Sequence, residues 1–442
     1  MSEEKRLEAM RTVRDRNVEF IHLWFTDVLG FLKTFVITMD ELELAMTEGM
    51  GFDGSSIQGF ARIQESDMVA LPDPDTLQIL PWRQGNDLVA TMFCDVVRPD
   101  GTPYPGDPRH VMRRNLERAT ELGLDFYIGP ELEYYYFKDD VNAEVLDRGG
   151  YFDMTTRDLA VDLRKETVRA LNKFDIQVEY SHHEVGPSQH EIDLRYDRAL
   201  RMADKVMTYR LVVKEVAQLS GFYATFMPKP LYGEAGSGMH VHQSLFRGER
   251  NAFYDASDEH HLSDLAKAYV AGLLHHARAT CAVTNQWVNS YKRLVSGYEA
   301  PVYICWAHRN RSALVRVPMY KPGKEKATRI ELRSPDPACN PYLAFSVMLA
   351  AGLDGIRRGL ELPDGVTDNI YEMTDAERSA AGIGQLPESL NEALGEMERS
   401  ELVREALGDQ VFEWFLRNKR IEWHDYRTRV TSWERESYLA IL

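Results

Sequence analysis

FYIGPELEYYYF, residues 126–137, places two glutamates two positions apart inside an aromatic run. Aromatic enrichment of this kind favours a strand, and in a strand residues i and i+2 point to the same side. Glu131 and Glu133 therefore share one face. Three other segments repeat the pattern. In HEIDLRY (190–196), Glu191, Asp193 and Arg195 lie opposite Ile192, Leu194 and Tyr196. In MHVHQSLF (239–246), His240, His242 and Ser244 align, and in TRIELRS (328–334), Arg329, Glu331 and Arg333 oppose Ile330 and Leu332.

Half-exposed antiparallel strands also alternate in this way. Two features point elsewhere. Lysine, the usual solvent-side residue, is absent from all four faces, and two glutamates on one face repel unless a cation lies between them. Gathered carboxylates with imidazoles are what divalent ions such as Mg2+ and Mn2+ recruit. A sheet curved so that the four faces converge forms an acid-rich funnel with a metal site.

Around these strands, helix and strand signals alternate, as an α/β or α+β layer architecture requires. Helical patterns cover about 108–122, 157–173, 197–220, 263–285 and 341–359, and 386–437 reads as mostly helical. Before them come a short amphipathic helix (4–15), strands at 18–25, 32–37 and 88–97, and a Gly/Ser-rich loop, GMGFDGSSIQGFAR (49–62). Proline and glycine cluster in RPDGTPYPGDP (98–108), which sets the expected domain boundary near residue 104.

The chain has 442 residues and a formal net charge of -17, with 44% hydrophobic residues. That length and composition suit a folded protein with a sizeable core and more than one domain. The acid excess argues against indiscriminate binding to nucleic acid or anionic membranes. Four scattered cysteines (Cys94, Cys281, Cys305, Cys339) form no CxxC pair, so neither a zinc framework nor a disulfide scaffold is expected. MSEEKRLEAMRTVRDR lacks an apolar signal region, and the apolar run Tyr342 to Leu353 is too short to span a bilayer. The expectation is a soluble cytoplasmic protein.

Further polar groups sit in unusual company. SHHEVGPSQHE (181–191) adds Glu184 seven residues before Glu191, while His182 and His183 read as a packed or hydrogen-bonded pair. The spacing is not HExxH, and no GxxxxGK[ST] is present, so neither a zincin-type protease nor a Walker A nucleotide site is expected. His260 and His261 read as a surface loop. VNSYKRLVSGYEAP (288–301) offers Arg293 and Glu299, and Arg311 follows; guanidinium forks suit carboxylate and phosphoryl oxygens. The glycines of GEAGSGMH (233–240) fit either a close backbone approach to a ligand or a tight turn.

DGSSI (53–57), PELE (130–133), SHHEV (181–185), QHEID (189–193), FMPKP (226–230), GSGMH (236–240), VNSYKRLVSGYEAP (288–301), NRSALVRVP (310–318) and RIELRSPDPACNPYLAF (329–345) together resemble the type I glutamine synthetases of bacteria and archaea, in order and over nearly the whole chain. The resemblance implies an α+β fold: a small N-terminal β-grasp domain (1–103) and a large catalytic domain (104–442) around a curved antiparallel sheet. It also implies a dodecamer of two stacked hexameric rings with active sites between neighbours. Glutamate, ammonium and ATP would be the substrates, with two or three Mg2+ or Mn2+ per site. Residue by residue, one ion would be held by Glu133, Glu184 and Glu191 and a second by Glu131, His240 and Glu331. Arg311 would stabilise the transferring phosphoryl group, Arg293 and Arg333 would face glutamate, and the Gly236 backbone its amino group. Asp53, with Ser56 from the adjacent subunit, would activate ammonium in a pocket completed by Tyr151 and Glu184. Glu299 would close over the intermediate.

The same resemblance bears on regulation. NIYEMTDAE (369–377) lacks the pattern of the adenylylated subtype, so Tyr371 is expected to be a packing residue. Arg62 matches the arginine linked to glutamine feedback in the other subtype, with a plain salt bridge as the alternative. Two departures stand out: Ala235 replaces the usual Asn before GSGMH, and MYKPGKEKATR (319–329) is longer and more basic than its counterpart. Relatives that ligate glutamate to polyamines or ethanolamine share most of these motifs and remain the alternative function. A non-catalytic relative should have lost metal carboxylates, and all five glutamates remain.

Overall fold

The computed structural model describes residues 3–57, 67–83, 88–154, 156–297, 300–308, 312–366 and 370–442, with Ser56 by its backbone alone. Arg62, Glu299 and Arg311 lie outside the described residues.

Near the N-terminus, strand Phe20–Thr26 pairs antiparallel with Leu32–Thr38 and parallel with Val89–Val97. The sheet continues through Asp67–Pro72 to Met50–Asp53. The Gly/Ser-rich loop expected over 49–62 thus begins as a strand. Gly49 and Gly51 weaken the local signal, and the pairing Met50↔Ala70 to Asp53↔Asp67 supplies the order. Helix Leu42–Glu48, which precedes it, is likewise not legible from periodicity over so few residues.

A second sheet holds the four polar faces. Its order runs Trp306–His308, Val315–Val317, Ile330–Leu332, Met239–Arg247, Asp125–Phe137, Gln189–Leu194, Val178–His183. Pairing is antiparallel along this path except between the first two strands, Trp306–His308 and Val315–Val317, which run parallel. Helices cover the apolar side. Pro341–Arg358 is buried along most of its length, capped by Asn340, whose side chain accepts from Tyr342 N–H and Leu343 N–H. It packs on Asp264–His275. The expected single helix over 263–285 is two, Asp264–His275 and Ala277–Thr284, because His276 leaves helical geometry (ψ 5°) and lies 2.7 Å through Nε2 from Asp354. His260 and His261 lie in a loop, as expected, but half-buried in it: His260 stacks on His308 and His261 on Tyr254.

Buried polar bonds join the two sheets. Arg109 forks onto Asp204 (3.1 and 3.0 Å) and reaches Asp73 at 2.7 Å and Asp95, so one guanidinium serves three carboxylates from both sides of the junction. Asn340 Nδ2 donates to the carbonyls of Asp27 and Val28, and Gln286 Nε2 to that of Leu29. No described helix is long and apolar enough to cross a membrane. All four cysteines are free and buried.

Candidate active site

Strand register brings the polar faces into three adjacent rows. His240 stands opposite Glu131, which stands opposite Asp193 on its other side. One step along, Glu133 faces Glu191, and Glu191 faces His182. In the third row Arg316 faces Glu331, which faces His242. The convergence expected from i, i+2 spacing is therefore present, with His182 and Arg316 added. Arg316 was missed, although a lone arginine in the apolar strand LVRVP is a usable signal. His182 has Nε2 3.0 Å from Glu191 Oε2, so its bonding partner is a site carboxylate.

Each carboxylate is held in place by neighbouring donors or stands ready for one. Glu133 Oε2 accepts from Gly238 N–H at 2.9 Å and from Gln189 Nε2 at 3.0 Å. Gln189 shares the face of Glu191 two residues on, and it also donates to the Gly236 carbonyl at 3.1 Å. Glu131 lies between His242 Nε2 (2.7 Å) and His240 Nδ1 (3.3 Å). Glu331 pairs with both Arg316 and Arg333. Glu191 Oε1 and Asp193 Oδ1 are buried with no hydrogen-bond partner. Orphaned buried carboxylate oxygens are costly unless a cation completes them, so the donor set fits a divalent ion. Oxygen and nitrogen atoms of Glu131, Glu191 and His240 already lie within 4.8 Å of one another.

The electrostatics follow from burial and crowding. Burial, and then the nearby Glu184, push the Glu133 carboxyl up to about 8. Burial and Glu131 do the same to Asp193, also to about 8. Burial opposes ionisation of Glu331, but His242 and Arg333 outweigh it and hold the group at about 2. Burial, helped by Arg333, lowers His240 to about 4, which keeps its imidazole neutral and able to ligate.

Two cavities open on this surface. One of about 460 Å3 is lined by Glu133, Tyr151, Glu184, Glu191, Ala235, Gly236, Arg293 and Arg333 among others. Its neighbour, of about 490 Å3, is lined by Tyr127, Asp193, His242, Ser244, Lys321, Lys324 and Arg329 among others. Glu131 and Tyr180 line both. The expected residues Glu131, Glu133, Glu184, Glu191, His240, Arg293, Arg333, Gly236 and Tyr151 are thus brought together, with Glu331 beneath them. Asp53 is not among them: within one chain it is exposed and lines neither cavity, accepting instead from Ser55 N–H and Oγ.

Arg293 explains the glycines before His240. Its guanidinium donates to the carbonyls of Ser334 (2.6 Å) and Arg333 (3.2 Å) from a buried position. A Cβ on Gly238 would lie 2.5 Å from Arg293 Nη2, and one on Gly236 2.7 Å from its Cγ. Both glycines make room for this side chain, a third option beside ligand approach and turn formation. Tyr371, an expected packing residue, donates to the Ala300 carbonyl at 3.0 Å.

Known proteins share this architecture. Residues 17–99 match the glutamine synthetase β-grasp domain and residues 105–438 the glutamine synthetase catalytic domain. Glutamine synthetase of Mycolicibacterium smegmatis is 54% identical over 98% of both chains, and that of Methanosarcina mazei 49% identical over the same shares. A solved structure described as a GmaS/ADP complex superposes with a TM-score of 0.90 at 32% identity, covering 98% of this chain and 99% of its own. The glutamine synthetase of Plasmodium falciparum, at 24% identity and a TM-score of 0.88 over 98% of both chains, shares the fold. With both domain families matched in order and half of all positions identical to named relatives, this chain belongs to the glutamine synthetase family.

Proposed function

We propose that the protein ligates ammonia to the γ-carboxylate of L-glutamate with ATP, through γ-glutamyl phosphate, giving glutamine, ADP and phosphate. The observation that carries this reading is the pair of adjoining cavities that share Glu131. One is rimmed by arginines and carboxylates, the other by aromatic, histidine and lysine side chains. A small amino acid suits the first and a nucleotide the second, so that the γ-carboxylate and γ-phosphate meet at the shared wall. Curated relatives named glutamine synthetase support the reaction.

In this reading Glu133, Glu184 and Glu191 hold one Mg2+ or Mn2+, and Glu131, His240 and Glu331 the other. Such ions supply charge neutralisation for two anionic substrates. Arg293 and Arg333 orient glutamate, Arg311 stabilises the transferring phosphoryl group, and the Gly236 backbone faces the amino group. The γ-carboxylate oxygen bonds to phosphorus as ADP leaves. Ammonium, bound between Tyr151 and Glu184, gives up a proton to Asp53; the nitrogen attacks the acyl carbon, and phosphate leaves carrying a second proton from the nitrogen. Glu299 shields the acyl phosphate from water.

Asp53, exposed and lining neither cavity of its own chain, supports a site completed by Asp53 and Ser56 of a neighbouring copy. A homo-dodecamer of two stacked hexamers supplies such neighbours, and the exposed apolar tail with Leu439, Ile441 and Leu442 suits contact between copies. We place the domain division at residues 103 and 104 and the protein in the cytoplasm. Phosphate release from ATP and glutamate tests the reaction. Turnover with ammonium supports it; strong turnover with putrescine or ethanolamine and little with ammonium would reassign the protein to γ-glutamyl-amine ligation. A Glu299→Ala variant with normal ligation would remove the shielding role, and light scattering tests the assembly.

A further inference from the structure

Tyr151 and Glu184, the proposed walls of the ammonium pocket, come from two separate turns, and a buried group behind them ties those turns together. Asp147, whose side chain is 1% exposed, faces both. Its Oδ1 accepts from Ser188 N–H at 3.0 Å and Gly149 N–H at 3.3 Å, and its Oδ2 from Leu159 N–H at 3.1 Å. His183 Nε2 lies 2.9 Å from the same Oδ1, while His183 Nδ1 lies 2.7 Å from the Glu184 carbonyl oxygen. Ser188 Oγ closes the loop by accepting from Leu146 N–H (2.6 Å) and Asp147 N–H (2.9 Å), and Phe152 N–H donates to the His183 carbonyl.

Two further features show that the arrangement is built. A Cβ on Gly149 would lie 2.6 Å from His183 Nε2, so only glycine lets the first turn approach the ring. Phe152 in one turn and Ser188 in the other both hold φ of +60°, left-handed backbone that disfavours residues with a side chain. Such conformations persist where surrounding bonds over-determine them. Asp147, His183 and the buried His190 also have the spacing of a metal set. Arg164, paired with Asp158, places its Nη1 2.8 Å from His190 Nδ1, so a fixed positive charge already stands beside this cluster.

We infer that Asp147, acting through His183 and Ser188, is a positioning residue that fixes the separation of Tyr151 and Glu184 and so the width of the ammonium pocket. The inference rests on the glutamine-forming reading. Asp147 touches neither substrate. It sets the carbonyl of Glu184 and the entry to Tyr151 at the two ends of one hydrogen-bonded unit, so loosening it widens the gap between them.

Steady-state kinetics on the full-length protein test this. Asp147→Asn keeps an acceptor oxygen and removes the charge; Ser188→Gly keeps the left-handed backbone and removes the hydroxyl. The expected result for each folded variant is an ammonium KM raised at least fivefold with the ATP KM within twofold. The preference for ammonium over methylamine should fall as well. If Asp147→Asn does not accumulate in folded form, Ser188→Gly carries the test. A folded variant with the wild-type ammonium KM and the wild-type amine preference, and only a lowered melting temperature, would overturn the inference. Wild-type enzyme without ammonium-dependent phosphate release would instead overturn the functional reading beneath it.

Discussion

Glu133 and Glu191 stand directly opposite each other on neighbouring antiparallel strands, both buried, with His182 beyond Glu191 in the same row. Like charges opposed across a sheet destabilise it unless a counter-charge lies between them. Burial, then Asp193 and Glu133, push the Glu191 carboxyl far up. Glu191→Gln should therefore raise the melting temperature of the metal-free protein. It should also abolish the stabilisation by Mn2+, which for the wild type is about 2.7 kcal/mol at a hundredfold excess over Kd. Thermal unfolding with EDTA and with Mn2+ checks both halves.

Arg293 and Gly238 make a second test. Alanine at 238 puts a Cβ against the far end of the arginine, which can swing away, so the fold should survive. The displaced guanidinium loses its aim at the glutamate cavity. Hydrogen bonds to charged groups are worth about 1.5–3 kcal/mol, so Gly238→Ala should raise the glutamate KM by about 10- to 100-fold. The ATP KM should hold. Circular dichroism separates this from unfolding.

Arg109 is the hub between the sheets. Arg109→Met leaves the buried Asp204 without its cation, and Asp73 and Asp95 with Arg113 alone. Breaking a buried ion pair from one side costs about 3–5 kcal/mol. Urea unfolding should show a loss of that size, with the junction between the two sheets opening first in hydrogen exchange.

Tyr135 Oη donates to the carbonyl of Ala235 at 2.6 Å, and it is a side-chain restraint on the segment that leads into Gly236. Tyr135→Phe removes this bond at a cost of about 1 kcal/mol. Faster amide exchange around Ala235 and Gly236, with a modest rise in glutamate KM, is the expected outcome. Because Ala235 has no side-chain amide of its own, the backbone bond has to hold the segment.

Much of the site was legible because a strand's period is two. Glu131 with Glu133, and His240 with His242, declare a shared face in any chain that makes them strands, and apolar partners such as Ile192 and Leu132 fix which side is core. Other parts were not legible. His183 and His182 are adjacent in sequence and look like one packed pair, yet the strand's alternation sends His182 to the carboxylates and His183 to Asp147. The short helix Leu42–Glu48 and the strand Met50–Asp53 carry too few residues for a period to emerge, and their order comes from pairing with Asp67–Pro72.

The sequence by itself determined which faces are polar, the family, and the residue types that gather, because alternation and long motifs are local properties. The tertiary structure decided the register. Only pairing between strands places Glu133 against Glu191 and Glu131 between His240 and Asp193, since a slip of one residue would turn each face to the other side. It also decided that Asp53 lines neither cavity of its own chain. The distance between two elements depends on the packing around them and is not written in either one.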